Sequence, residues 1–113
     1  PSNEVEAIVE TGSSTEENEI TNIDRLIGNY PNPFNPETTI SFNIQETNDV
    51  LLEIFNIKGQ KIKTLINSAL PAGNHKVVWN GTDENDLQVS SGIYFYKLRS
   101  TGFEQIKKMI LMK

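Results

Sequence analysis

From Thr38 onward apolar and polar residues alternate with a period of two. In "TTISFNI" Ile40, Phe42 and Ile44 share one face, and in "DVLLEIFN" Val50, Leu52 and Ile54 do the same with Phe55 opposite. "QKIKTLI" groups Ile62, Thr64 and Ile66, and "NHKVVWN" groups His75, Val77 and Trp79. "GIYFYKLRS" is dense in aromatic and β-branched residues, and "FEQIKKMILM" closes the pattern. Successive side chains of a strand point to opposite faces, so this period predicts half-buried strands. The gaps carry turn residues: "QETN", "KG", "LPAGN", "NGTDEND", "SSG" and "STG". No helical period intervenes. Six short antiparallel strands follow, with a seventh expected in "LQV" or in the stretch before Pro31. Strands at this spacing with glycine-bearing turns predict a β-sandwich. Trp79, the single tryptophan, is expected at its centre.

Ahead of the first of these strands lies "NYPNPFNP". Proline fixes its own φ and restricts the residue before it. Pro31, Pro33 and Pro36 should therefore hold a defined path, with Tyr30 and Phe34 packing on the sandwich. Their missing N–H groups also discourage stray strand pairing.

Charge divides the 113 residues. Residues 1–27 hold seven acids and Arg25, a net −6, so 28–113 carry +1 of the total −5. The segment 1–27 reads as an acidic, flexible linker with too little apolar surface to offset the entropy of ordering. Within it, "EVEAIVE" alternates and could form a short strand at an edge or with a neighbouring molecule. Residues 28–113 are the folded domain. A near-neutral body lacks the concentrated basic surface that nucleic acid demands. No apolar run approaches the roughly 20 residues of a membrane span, and no signal-peptide pattern opens the chain. The expectation is a piece of a longer protein.

Catalytic parts are few. No cysteine is present, and His75 is the one histidine, so zinc sites and Cys- or Ser-His catalysis lack their groups. No phosphate-binding glycine loop occurs. Asp83, Asn85 and Asp86 are a weak calcium candidate, without the glycine and distant glutamate of a calcium loop. "NGT" at 80–82 matches a glycosylation acceptor, and "NPF" at 32–34 reads as a rigid turn. Neither a catalytic group nor a cofactor is expected. A sugar-binding module would need a row of exposed aromatics, and Tyr94 and Tyr96 are the candidates. A structural assembly domain is the other alternative, because fold alone does not decide function.

Four blocks, "NYPNPFNPETTISF", "IFNIKGQKIKTL", "AGNHKVVWNGTD" and "SSGIYFYKL…KKMILMK", together resemble the type A C-terminal sorting domain of the type IX secretion system of Bacteroidetes-like bacteria. The same sandwich is similar to the immunoglobulin-like domain of flagellar hook-capping proteins. The resemblance covers residues 28–113 and implies an Ig-like or fibronectin-III-like antiparallel sandwich. Phe55, Gln45 and Asp86 stand where the family usually has tyrosine, proline and glycine; aspartate tolerates a left-handed turn. The resemblance also implies a non-catalytic role. A secreted cargo domain upstream in the same chain would reach the periplasm by its own signal. It would then be passed by this domain through an outer-membrane translocon to the cell surface. A sortase-like peptidase would cut in or before residues 1–27 and attach the cargo there. The implied recognition residues are Gly59, Gln60, Ser91, Gly92, Lys107, Lys108, Met109, Leu111 and Lys113. Edge strands or the N-terminal segment would offer a route to a dimer.

Overall fold

A computed structural model describes residues 24–113. Seven antiparallel strands form two sheets: β1 (Arg25–Tyr30), β2 (Thr38–Ile44), β3 (Asn48–Asn56), β4 (Lys61–Leu70), β5 (Gly73–Trp79), β6 (Gly92–Ser100) and β7 (Phe103–Leu111). One sheet has the order β1-β2-β5 and the other β4-β3-β6-β7. The architecture is the all-β sandwich that the alternation predicts.

The period of two decides which side chains fill the space between the sheets. Ile40, Phe42 and Ile44 of β2 meet Val50, Leu52 and Ile54 of β3, together with Tyr94, Tyr96 and Leu98 of β6. Trp79 is fully buried, tilted against Phe34 at 5.6 Å and edge-on to Tyr94 at 5.4 Å. Its indole N–H donates to the Thr82 carbonyl at 2.9 Å, which satisfies the one polar atom it brings into the core. The Tyr94 hydroxyl likewise donates to the Ser90 carbonyl, and the Tyr96 hydroxyl to Asn29 Oδ1.

The seventh strand is β1, before Pro31; "LQV" supplies only a bridge between Thr82 and Gln88. β1 starts at Arg25, inside the stretch read as linker, because two groups anchor its entry. The Asp24 carboxylate accepts from the Gln45 amide at 2.9 Å and from the Ser100 hydroxyl at 2.8 Å. The "EVEAIVE" segment lies outside the described residues. In β4 the simple alternation breaks. Leu52 pairs with Ile66 but Glu53 with Thr64, so Leu65 is an extra residue. A second irregularity skips Ile62, between the Ile54–Lys63 and Phe55–Lys61 pairs, and Ile62, Leu65 and Ile66 all pack against the core.

The proline-rich stretch is a brace. Phe34 is buried, its N–H donates to the Ile110 carbonyl at 2.9 Å, and its carbonyl accepts from Met112 N–H at 2.8 Å. Asn32 Oδ1 accepts from Ile110 N–H at 3.0 Å. The loop thus pairs with the end of β7 and covers that part of its edge. Of the two aromatics expected to pack on the sandwich, Phe34 does and Tyr30 does not; Tyr30 is 82% exposed. As the last residue of β1 it follows Asn29, whose side chain turns inward to Tyr96 and Thr38, so the pleat points Tyr30 outward.

Candidate functional site

The "NIKGQ" turn joins β3 to β4 and is locked by Asn56. Its Oδ1 accepts from the Lys58 and Gln60 amides, and its Nδ2 donates to Gln60 Oε1 at 2.8 Å. Gly59 has φ +83°, a backbone state that costs little only for glycine. Gly59 and Gln60 therefore set the shape of this turn. Across from it, "SSG" leads into β6. The turn and Ser90–Ile93 line one groove of about 330 Å³. Gly92 pairs with Leu111, and Ile93 with Ile110, so the end of β7 lies beside the same stretch. The folded chain brings together three of the sequence-predicted recognition segments: Gly59–Gln60, Ser91–Gly92 and the start of "MILMK".

Those residues do not all offer side chains to a partner. Met109 and Leu111 are 0% and 1% exposed and belong to the core. Inward residues of β7 hold the strand; outward ones present a surface. Lys108 and Lys113 are exposed, and Lys107 is half-buried.

Sequence reading missed what lies on the outer face of the four-stranded sheet. Phe55 pairs with Phe95, Phe95 with Lys108, and Lys97 with Ile106. Phe55, Ile57, Gly59, Phe95, Lys97 and Ile106 line a second, largely apolar hollow of about 380 Å³. Lys97 Nζ stands 5.0 Å from the centre of the Phe55 ring and near Glu104 at 4.0 Å. Ile57 and Ile106 are 68% and 54% exposed. These side chains make an apolar hollow that is open to solvent at Ile57 and Ile106. Its signal was the apolar residues of both parities in "EIFNI" and "IYFYKL", where the outward positions are as hydrophobic as the inward ones.

Other candidates are occupied by structure. Asp83 Oδ1 accepts from the Asn85 and Leu87 amides, and Asp86 faces Lys63 at 3.3 Å. Asp86 adopts φ +63°, the left-handed turn expected of it. Among the described residues no three His, Cys, Asp or Glu side chains are grouped to hold a metal. His75 lies half-buried, its ring stacked on Phe42 and Nε2 2.7 Å from the Pro71 carbonyl. Tyr94 and Tyr96 are buried, so they form no sugar-stacking platform. Burial pushes the Tyr96 phenol up to about 12. No helix among the described residues is long and apolar enough to cross a membrane.

The described residues form a small β-sandwich in which three sequence motifs meet at one end of the four-stranded sheet. The chain belongs to the secretion system C-terminal sorting domain family, whose pattern it matches over residues 29–112. Sorting tails of this kind are non-catalytic in general and mark secreted or cell-surface bacterial proteins. Among solved structures it is similar to dimeric latent PorU from Porphyromonas gingivalis, with TM-score 0.65, 20% identity and 80% of this chain covered. It is similar to PorZ, a surface component of the type-IX secretion system of the same organism, with TM-score 0.54, 18% identity and 75% covered. FlgD from P. aeruginosa gives TM-score 0.54 and 17% identity over 66% of this chain and 60% of that one. The chain spans 9% of PorU and 11% of PorZ. At these identities the likeness is one of fold. No curated protein matches the chain.

Proposed function

We propose that this domain is the address by which a parent protein is passed through the type IX outer-membrane translocon, and that the translocon reads the outward end of the four-stranded sheet. The observation carrying this is the convergence of the 56–60 turn, the 90–93 stretch and the end of β7 around adjoining hollows. The recognition elements are Gly59, Gln60, Ser91 and Gly92 as shapers of backbone, and Lys107, Lys108 and Lys113 as charges. Met109 and Leu111 act through the core. The cargo lies upstream and enters the periplasm by its own signal. A sortase-like peptidase cuts upstream of Asp24, where the chain is tied into the sandwich, and attaches the cargo at the surface.

The test is transport. The full chain is fused behind a fluorescent protein with a periplasmic signal, in a bacterium with a working type IX system and in a translocon-deficient strain. Surface delivery only in the first supports the reading. Folded fusion retained in the periplasm of both strains contradicts it.

A further inference from the structure

Just past β5, "NGT" at 80–82 holds the one Asn-Gly pair of the chain. Asn80 is exposed, whereas Gly81 and Thr82 are buried. Three side chains are linked in line here. The Lys63 ammonium donates to Thr82 Oγ1 at 3.0 Å, and the Thr82 hydroxyl donates to Asn80 Oδ1 at 2.6 Å. Asp86 holds Lys63 from the other side at 3.3 Å. A hydroxyl has a single proton, so accepting from Lys63 leaves that proton for Asn80. The ammonium polarises the hydroxyl, and the hydroxyl points at the oxygen of a side-chain amide.

The backbone nitrogen that follows Asn80 belongs to Gly81. It lies outside the strands, and among the described residues its N–H donates to no backbone carbonyl, whereas its carbonyl accepts from Val89 at 2.9 Å. Glycine carries no Cβ, so nothing on its own Cα hinders that nitrogen in approaching the Asn80 carboxamide. We infer that Asn80 is a self-modification site, where the Gly81 nitrogen attacks the Asn80 side chain and the Thr82 hydroxyl stabilises the charge that forms. The Gly81 N–H gives its proton to solvent hydroxide, and the nitrogen bonds to Asn80 Cγ. Negative charge collects on Oδ1, where the Thr82 donor already stands, as in an oxyanion hole. The Cγ–Nδ2 bond breaks, and Nδ2 takes a proton from water and leaves as ammonia on the exposed side of Asn80. A cyclic imide remains between residues 80 and 81. Water opens it at either carbonyl, giving aspartate or isoaspartate, with no oxidant or reductant involved. Lys63 acts through Thr82 and is a positioning residue.

Isoaspartate adds a methylene to the main chain between Trp79 and Gly81. Trp79 is fully buried, and a Cβ on Gly81 would already stand 3.2 Å from the Pro36 carbonyl. The lengthened chain has little room there, so the modification loosens the proline-rich brace from the core. The reaction uses this chain's own residues and holds whether or not the domain sorts cargo.

The experiment follows isoaspartate at residue 80 by peptide mapping of the full chain, kept for days near neutral pH. The parent is compared with Thr82→Val, which removes the hydroxyl and keeps the Thr82 carbonyl that Trp79 uses, and with Thr82→Ser, which restores the hydroxyl. Removing one oxyanion donor typically slows a reaction by about 10²–10³-fold. Isoaspartate is expected to form at least about tenfold more slowly in Thr82→Val and near the parent's rate in Thr82→Ser. Trp79 fluorescence confirms that each variant is folded. Mere loss of stability would act in the opposite direction, because a loosened Asn80–Gly81 bond would react faster. In urea the parent and Thr82→Val should react alike, since the hydroxyl is no longer held. A folded parent that forms no isoaspartate while the urea-unfolded chain does overturns the inference. Equal or faster reaction of folded Thr82→Val also overturns it. So does a Lys63–Asn80 cross-link, a lasting loss of ammonia without ring opening, because Lys63 would then be the nucleophile.

Discussion

Truncating Phe34 to alanine removes a ring that is 1% exposed and lies 5.6 Å from Trp79. Loss of a buried phenylalanine side chain costs about 3–5 kcal/mol, from lost transfer energy and the cavity left behind. The backbone bonds of residue 34 to Ile110 and Met112 survive the substitution, so the loss is the side chain's own. A domain of this size holds only about 5–15 kcal/mol in all. Phe34→Ala should therefore consume a large share of it and lower Tm by more than about 10 °C. Tyr30, four residues earlier in the same proline-rich stretch, is 82% exposed, and Tyr30→Ala should cost no more than about 0.5 kcal/mol. The assay is urea unfolding followed by the fluorescence of Trp79, the single tryptophan, whose ring Phe34 touches. A Phe34→Ala loss below about 1 kcal/mol would refute the brace, given the usual cost of such a cavity. So would a Tyr30→Ala loss of equal size.

The combined change Pro31→Ala, Pro33→Ala and Pro36→Ala should enlarge the unfolded ensemble and destabilise by about 1–2 kcal/mol. Faster exchange at the Ile110 and Met112 amides would accompany it; unchanged Tm and exchange would sink the clamp. Gly81 has φ +74°, and a Cβ there would meet the Pro36 carbonyl at 3.2 Å. Gly81→Ala should therefore lose about 1–3 kcal/mol on thermal melting. The folded pKa of Tyr96, about 12, lies above the ordinary 10.0, so its contribution is complete below pH 10 and is lost as pH rises toward 12. Denaturant titrations at pH 9 and pH 11.5 should show a steeper fall for the parent than for Tyr96→Phe. Parallel curves would show that this phenol plays no part.

The strand ladder was legible because one period governs it. Where one face of a strand is buried and the other polar, as in β2 and the start of β3, alternation alone located the core; in β6 both faces are apolar, and only the structure shows Tyr94, Tyr96 and Leu98 to be the inward set. Alternation misjudged β4, where the bulge at Leu65 adds a residue that no period announces. β1 was half-seen: "RLIGNY" is short, and its anchor depends on Ser100, remote in sequence. Tyr30 misled because an aromatic beside prolines looks like a packing group, and only the inward turn of Asn29 settles its direction. The candidate site was legible as three separate motifs but not as a place. Their meeting depends on Gly92 facing Leu111, a pairing set by register. The apolar outer face escaped because Phe55 and Phe95 read as spare hydrophobics within their own strands. They become a surface only when β3 and β6 stand side by side.

The central claim is that the outward end of the four-stranded sheet is what a secretion machinery reads, while the inward residues only keep it folded. Its most direct test is surface delivery of a fusion carrying Ile57→Glu, Ile106→Glu and Lys108→Glu, three exposed positions, with Trp79 fluorescence confirming the fold. The account predicts a folded protein whose delivery falls at least about tenfold, as loss of a few central contacts of 1–2 kcal/mol each would give. Delivery at the parent's level would contradict it and place recognition elsewhere on the domain.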